Sequence, residues 1–241
     1  MRSNKKAIVF VLLIVGIMAF LLLFAITLGT KVIGTAVAPP RRIEIPEASW
    51  VFLYFEAINE VTEQANWKPL HTVGLPRGSL EIRIWIGFGE SPLQGLRLCR
   101  NGGKWTGLYV NCGYLWLQAM CKSQPSITEE AKARYESYLK DMKPFYELTP
   151  QTSWARLWEK VEALGILTLP DSSTLPKGGG AIDGISYVVE INDGEHYRTY
   201  RYDNPQCGEG AEVERIIEIM KTLQDEFQHA LPPHMSWGYW R

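Results

Sequence analysis

Twenty-four consecutive residues, Ala7 to Thr30, carry no charge, and only Gly16, Thr27, Gly29 and Thr30 among them fall outside the apolar set. At about 1.5 Å rise per residue, such a run forms a helix roughly 36 Å long, enough to cross a ~30 Å hydrocarbon layer with some tilt. Arg2, Lys5 and Lys6 flank its start and only Lys31 its far end. The positive-inside bias then puts the N-terminus in the cytoplasm and the rest of the chain on the other side. No other stretch is apolar enough to span. The expectation is a single-pass protein of the inner (cytoplasmic) membrane, meeting the lipid bilayer through residues 7–30. A cleaved secretory signal, leaving a periplasmic or secreted product, is the competing reading. Signal cores run to about 7–15 apolar residues, fewer than here. Ala36-Val37-Ala38 has the small-x-small cleavage pattern, but Pro39 follows it and opposes cutting.

The remainder has the makings of a packed domain, because 46% of the chain is hydrophobic and 12% aromatic, which excludes a disordered protein. Setting aside Arg2, Lys5, Lys6 and Lys31 leaves 21 basic against 26 acidic residues. A mildly acidic body without clustered cations excludes a nucleic-acid partner. In an exported domain the four cysteines, Cys99, Cys112, Cys121 and Cys207, meet an oxidising compartment. Cys112 and Cys121, nine apart in a loop-like insertion, are the preferred disulfide by loop-closure entropy. Reduced, buried cysteines are the alternative.

Residues 1–34 therefore read as a basic tip and signal-anchor helix, 35–46 as a Pro-rich linker, and 47–241 as one exported domain. Within it, Trp50, Leu53, Tyr54, Ala57, Ile58, Val61 and Ala65 recur at helical steps, predicting a helix over 49–66. Leu80, Ile82, Ile84, Ile86 and Phe88 alternate with Glu81, Arg83 and Trp85, the period of a half-buried strand. Residues 96–100 and 104–110 read as a hairpin about Asn101-Gly102-Gly103. Helices are predicted over 126–142, with Ser126 and Glu129 in capping-box spacing, and over 153–164. A second hairpin, 185–191 with 197–202, is expected to close through a type I′ turn at Asp193-Gly194, which sets Val189 opposite Arg198 and Glu190 opposite Tyr197. Residues 209–228 complete the chain as an amphipathic helix. The fold class predicted is α+β, with an antiparallel sheet of about five strands packed against helices.

The stretch Trp158 to Leu169 with its Leu169-Pro170-Asp171 ending, the segment Asp183-Gly184-Ile185-Ser186-Tyr187-Val188-Val189-Glu190, the return strand Tyr197 to Tyr202, Asn204-Pro205 and the closing helix together resemble a group of uncharacterised bacterial exported or membrane-anchored proteins. Their shared pattern is D-G-x-x-aromatic-x-x-E, an aromatic and Arg-rich strand, Asn-Pro and a helix, and it covers about the last 80 residues here. That group has no assigned activity, so the likeness implies architecture and export alone.

Catalytic and cofactor signatures are missing. His71, His196, His229 and His234 have no metal-ligand spacing, and no C-x-x-C, nucleophile elbow, Walker or Rossmann glycine pattern occurs. No metal, cofactor or catalytic residue is therefore assigned. Two features suit binding. One is the outer hairpin face, with Glu190, Tyr197 and Arg201. The other is the C-terminal tail, with Trp237, Tyr239 and Trp240, since Tyr, Trp and Arg are common interface anchors. The function predicted is a membrane-anchored, protein-binding module of the cell envelope, with an immunity or inhibitor protein as one subtype. A hydrolase assembled from His71, His196, Asp183 and Glu190 is the first alternative, and a purely structural tether the second.

Overall fold

A computed structural model describes residues 37–47, 50–88, 93–123, 128–176 and 184–231. The apolar stretch 7–30 and the tail residues Trp237, Tyr239 and Trp240 lie outside them. Among the described residues no helix is long and apolar enough to cross a membrane. In chain order the elements are β1 (Arg42–Glu44), α1 (Trp50–Gln64), β2 (Leu80–Gly87), β3 (Gln94–Asn101) and β4 (Lys104–Val110), then α2 (Cys112–Ser123), α3 (Glu129–Lys140), β5 (Phe145–Leu148) and α4 (Trp154–Ala163), and finally β6 (Ser186–Asn192), β7 (His196–Asp203) and α5 (Ala211–Phe227).

The seven strands form one mixed sheet in the order β1-β7-β6-β2-β3-β4-β5. All neighbours are antiparallel except β1, which runs parallel to β7. The α+β class holds, but the sheet is larger than five strands and not purely antiparallel. The two additional strands are its edges. At three and four residues they are too short for a periodicity to show in sequence, and short edges also offer little template for aggregation. Moreover, β1 falls in the stretch read as a linker. Its ladder stops before Pro46, whose nitrogen cannot donate.

Central strand β2 departs most from its sequence reading. The alternation sorts its residues correctly, but all eight are buried, because both faces of the sheet are covered. Leu80, Ile82, Ile84 and Ile86 pack with β3, β6 and β7 against α4 and α5, where Leu157, Val161, Ile216, Met220, Leu223 and Phe227 complete the larger core. On the opposite face Trp85 and Val188 meet Tyr54, Ile58 and Val61 of α1 and Leu115 of α2. Gly95 is required beneath Trp85, since a Cβ there would come within 2.8 Å of the indole ring.

Glu81 and Arg83, which alternation points outward, are 3% and 2% exposed. They survive burial as a network. Arg83 Nε donates to Glu81 Oε1 at 2.8 Å, while Arg97 donates through Nε and Nη2 to both carboxylate oxygens at 2.8 and 2.9 Å. Both guanidinium groups lie over the Trp67 ring, at 5.2 and 4.7 Å from its centroid. Arg83 also donates to the Lys68 carbonyl, and Asn192 Nδ2 to the carbonyls of Leu70 and Val73. The segment following α1 is thereby fastened to the sheet.

The second hairpin keeps its predicted faces but shifts its pairing by two residues: Val189 faces Tyr200 and Glu190 faces Thr199. The two-residue turn is Gly194-Glu195, with Asp193 N–H donating to His196 O, and only Gly194 of the pair takes positive φ (92°). That is the type II′ pattern, whereas the predicted turn would have required positive φ at Asp193. Instead the Asp193 carboxylate accepts hydrogen bonds from the Glu195 and His196 N–H groups.

The expected Cys112–Cys121 bridge is absent, and Cys99, Cys112, Cys121 and Cys207 are all free. The loop expected around the pair is α2, with Asn111 Oδ1 accepting from Tyr114 N–H in its first turn. Nine residues of helix separate the two by about 13 Å along the axis, whereas a disulfide needs Cα atoms about 4.4–6.8 Å apart. Further on, α3 is capped by the Thr128 hydroxyl on Ala131 N–H, so its start falls later than the Ser126 expected. By contrast, α4 begins as expected at Ser153, whose hydroxyl accepts from Arg156 N–H.

Burial by itself would raise the Glu81 pKa, but the Arg97 hydrogen bonds and the charges of Arg83 and Arg97 outweigh it and hold the carboxyl below the ordinary value near 4.5. Its contribution to stability is therefore complete above about pH 4.5 and is lost as pH falls through the lowered folded-state value. Glu81→Ala should cost about 3–5 kcal/mol in urea unfolding at pH 7, because the buried Arg83 and the partly buried Arg97 lose their partner. Glu44→Ala, which breaks an exposed pair with Arg42, should cost under about 1 kcal/mol. The difference between the two variants should shrink on acidification.

Candidate functional site

The outer hairpin face is not a surface. Glu190 is 2% exposed and Tyr197 is fully buried, because α1 and the segment behind it cover this side of β6 and β7. Trp85 Nε1 donates to Glu190 Oε2 at 2.7 Å and the Tyr197 hydroxyl to Glu190 Oε1 at 2.9 Å. Burial, reinforced by the Glu190 charge, pushes the Tyr197 phenol far above its ordinary pKa and keeps it a neutral donor. A carboxylate held in this way orients two large rings and offers nothing to a protein partner. Glu190 and Tyr197 touch through this hydrogen bond although the register does not set them opposite each other, and both lie in the interior instead of on a docking face.

Arg201 lies further along the same face. Its guanidinium sits 4.0 Å from the Tyr54 ring centroid and pairs with the Asp203 carboxylate. The Ser186 hydroxyl donates to that carboxylate at 2.5 Å, and the Tyr54 hydroxyl donates to Ser186 Oγ at 3.3 Å. The arginine ties α1 to the end of the hairpin.

The described candidates for hydrolysis, His71, His196 and Glu190, do not assemble. His71 makes edge contacts with the rings of Phe55 and Tyr197, at 6.3 and 5.6 Å between centroids. His196 is exposed at the hairpin turn, with Nδ1 3.3 Å from Asp193 Oδ2. Asp183 lies outside the described residues. His71, His196 and Glu190 share no hydrogen bond, and no group of three or more His, Cys, Asp and Glu side chains that could hold a metal occurs among the described residues.

A different feature is open to solvent. Between α1 and α2 runs a cleft of about 360 Å³ with walls of Ala57, Val61, Cys112, Gly113 and Trp116, bounded by Leu93, Glu60 and Gln64. Its volume is within the range of small ligand pockets and its walls are mostly apolar. Trp116 is 53% exposed, a large apolar ring left at the mouth. Cys112 forms part of the wall with its thiol donating toward the Val110 carbonyl, and burial pushes that thiol up to about 12, so it is an inert apolar surface rather than a nucleophile. Gln64 Nε2 donates to Glu60 Oε1 at 3.2 Å, while Gln64 Oε1 is out of contact with solvent and has no partner among the described residues.

No periodicity in the sequence points to this cleft, because a loop is expected around Cys112 and Cys121 where α2 forms its second wall. Asn111 ahead of an apolar run was the available sign of a helix start there. Placing Trp116 beside α1 needed the tertiary structure.

No family model, curated protein or solved structure matches this chain. The cleft rests on its own geometry.

If the Glu190 cluster is structural, Tyr197→Phe should lower stability by about 1–3 kcal/mol in urea unfolding, since one buried carboxylate oxygen loses its donor. Tyr138→Phe, at a 53% exposed ring on α3, should stay within about 0.5 kcal/mol of the parent.

Proposed function

We propose that this chain is a single-pass, membrane-anchored protein whose α+β domain is exported and binds another protein through the cleft between α1 and α2. The single observation that carries the binding role is Trp116, half exposed at the mouth of an apolar cleft. Tryptophan is enriched among the few residues that carry most of the binding energy at protein interfaces, where such residues cluster in well-packed pockets. The anchor and the topology are supported by the uncharged run 7–30 and by three cations just before it against one, Lys31, directly after it.

Two measurements test the two halves. Cys207 is an exposed free thiol, so a membrane-impermeant maleimide should label it in intact spheroplasts, without lysis. Labelling only after lysis overturns the topology. Crosslinking of the tagged full-length protein in its native membrane should capture a stoichiometric partner that Trp116→Ala loses. Equal capture by Trp116→Ala overturns the assignment to the cleft, and a bait that captures nothing overturns the binding role.

A further inference from the structure

The charges beside the cleft identify the kind of partner it fits. Ala57, Glu60, Val61 and Gln64 stand at positions i, i+3, i+4 and i+7 of α1, so they form one stripe about 10 Å long. Glu56, Glu60 and Glu63 occupy the adjoining stripe at the same steps, and all three are exposed. Glu60 belongs to both. The helix contains no lysine or arginine, and none of its three glutamates forms an ion pair among the described residues. An apolar trough therefore runs beside a row of uncompensated carboxylates, with Trp116 on its opposite wall.

We infer that the partner presents a cationic amphipathic helix, its apolar side chains entering between α1 and α2 and its lysines or arginines meeting Glu56, Glu60 and Glu63. This rests on the cleft being the binding site, as proposed above. The length of the trough matches anchors at positions i, i+3 or i+4, and i+7 of a two-turn segment, the recurrent spacing of helix-in-groove recognition. A flat or acidic partner would leave three carboxylates facing apolar surface or like charge, at a cost in affinity.

The test uses the full-length chain in nanodiscs of zwitterionic lipid, with empty nanodiscs as the blank. The probe is a 14-residue Leu/Lys peptide of helical amphipathic pattern carrying one photo-leucine on its apolar face. Its companion has Glu in place of every Lys. The expected result is crosslinking of the Lys peptide to residues 57–64 and 112–116. Its affinity should fall about tenfold in Glu56→Gln/Glu60→Gln/Glu63→Gln and again in Trp116→Ala, but should be unchanged in the α3 control Glu129→Gln/Glu130→Gln. The Glu peptide should bind at least tenfold more weakly than the Lys peptide. Equal binding of the two peptides, equal binding by the triple Gln variant, or crosslinks elsewhere overturns the inference. So does full displacement of the Lys peptide by octylamine, which would make the occupant a small amphiphile, or by raised protein concentration, which would make it a second copy of this chain. If the native partner is still lost in Trp116→Ala but retained in the triple Gln variant, the cleft stands as the site and only the cationic helix is refuted.

Discussion

Glu81, shared between Arg83 and Arg97 under the Trp67 ring, is the interaction on which the second layer of this domain depends. One face of the sheet is closed by ordinary apolar packing with α4 and α5. The other carries charges in its central strands, and a layer could settle there only if those charges were neutralised among themselves. A single carboxylate accepts from both guanidiniums, and Arg83 has a further donor left for the Lys68 carbonyl. The carbonyls of Leu70 and Val73 go to Asn192. Backbone groups that would otherwise be buried without partners are satisfied, so the segment after α1 can lie flat on the sheet and hold the helix over Trp85 and Val188.

That arrangement separates structure from candidate function. The most polar cluster of the domain, with Glu190, Tyr197 and the Glu81 network, is buried and acts as internal fastening. The feature open to solvent is a mostly apolar cleft, with Glu60 and Gln64 as the charged and amide residues of its lining. Its position follows from the same fastening. Once α1 is fixed over the sheet, its flank faces α2 across a gap, and Asn111 sets where α2 starts and so where Trp116 projects. Residues outside the cleft thereby determine where it opens.

The sequence alone determined the α+β class, the strands β2, β3, β4, β6 and β7, the helices α1, α4 and α5, and which residues share a face of each strand. These follow from two- and 3.6-residue periods and from local caps and turns, which act over a few neighbours and are written in the chain. Hairpin register was within local reach yet misread, since a glycine can serve at either central position of a turn and the Asp193 carboxylate decided between them. The tertiary structure alone decided that Glu81, Arg83, Glu190 and Tyr197 are interior, that β1 and β5 complete the sheet, that Cys112 and Cys121 stand on one helix, and that a cleft opens beside Trp116. Alternation reports that two faces differ, but not whether the polar one meets water or a second layer. That depends on charges and carbonyls from segments far apart in sequence finding one another, which no local pattern encodes.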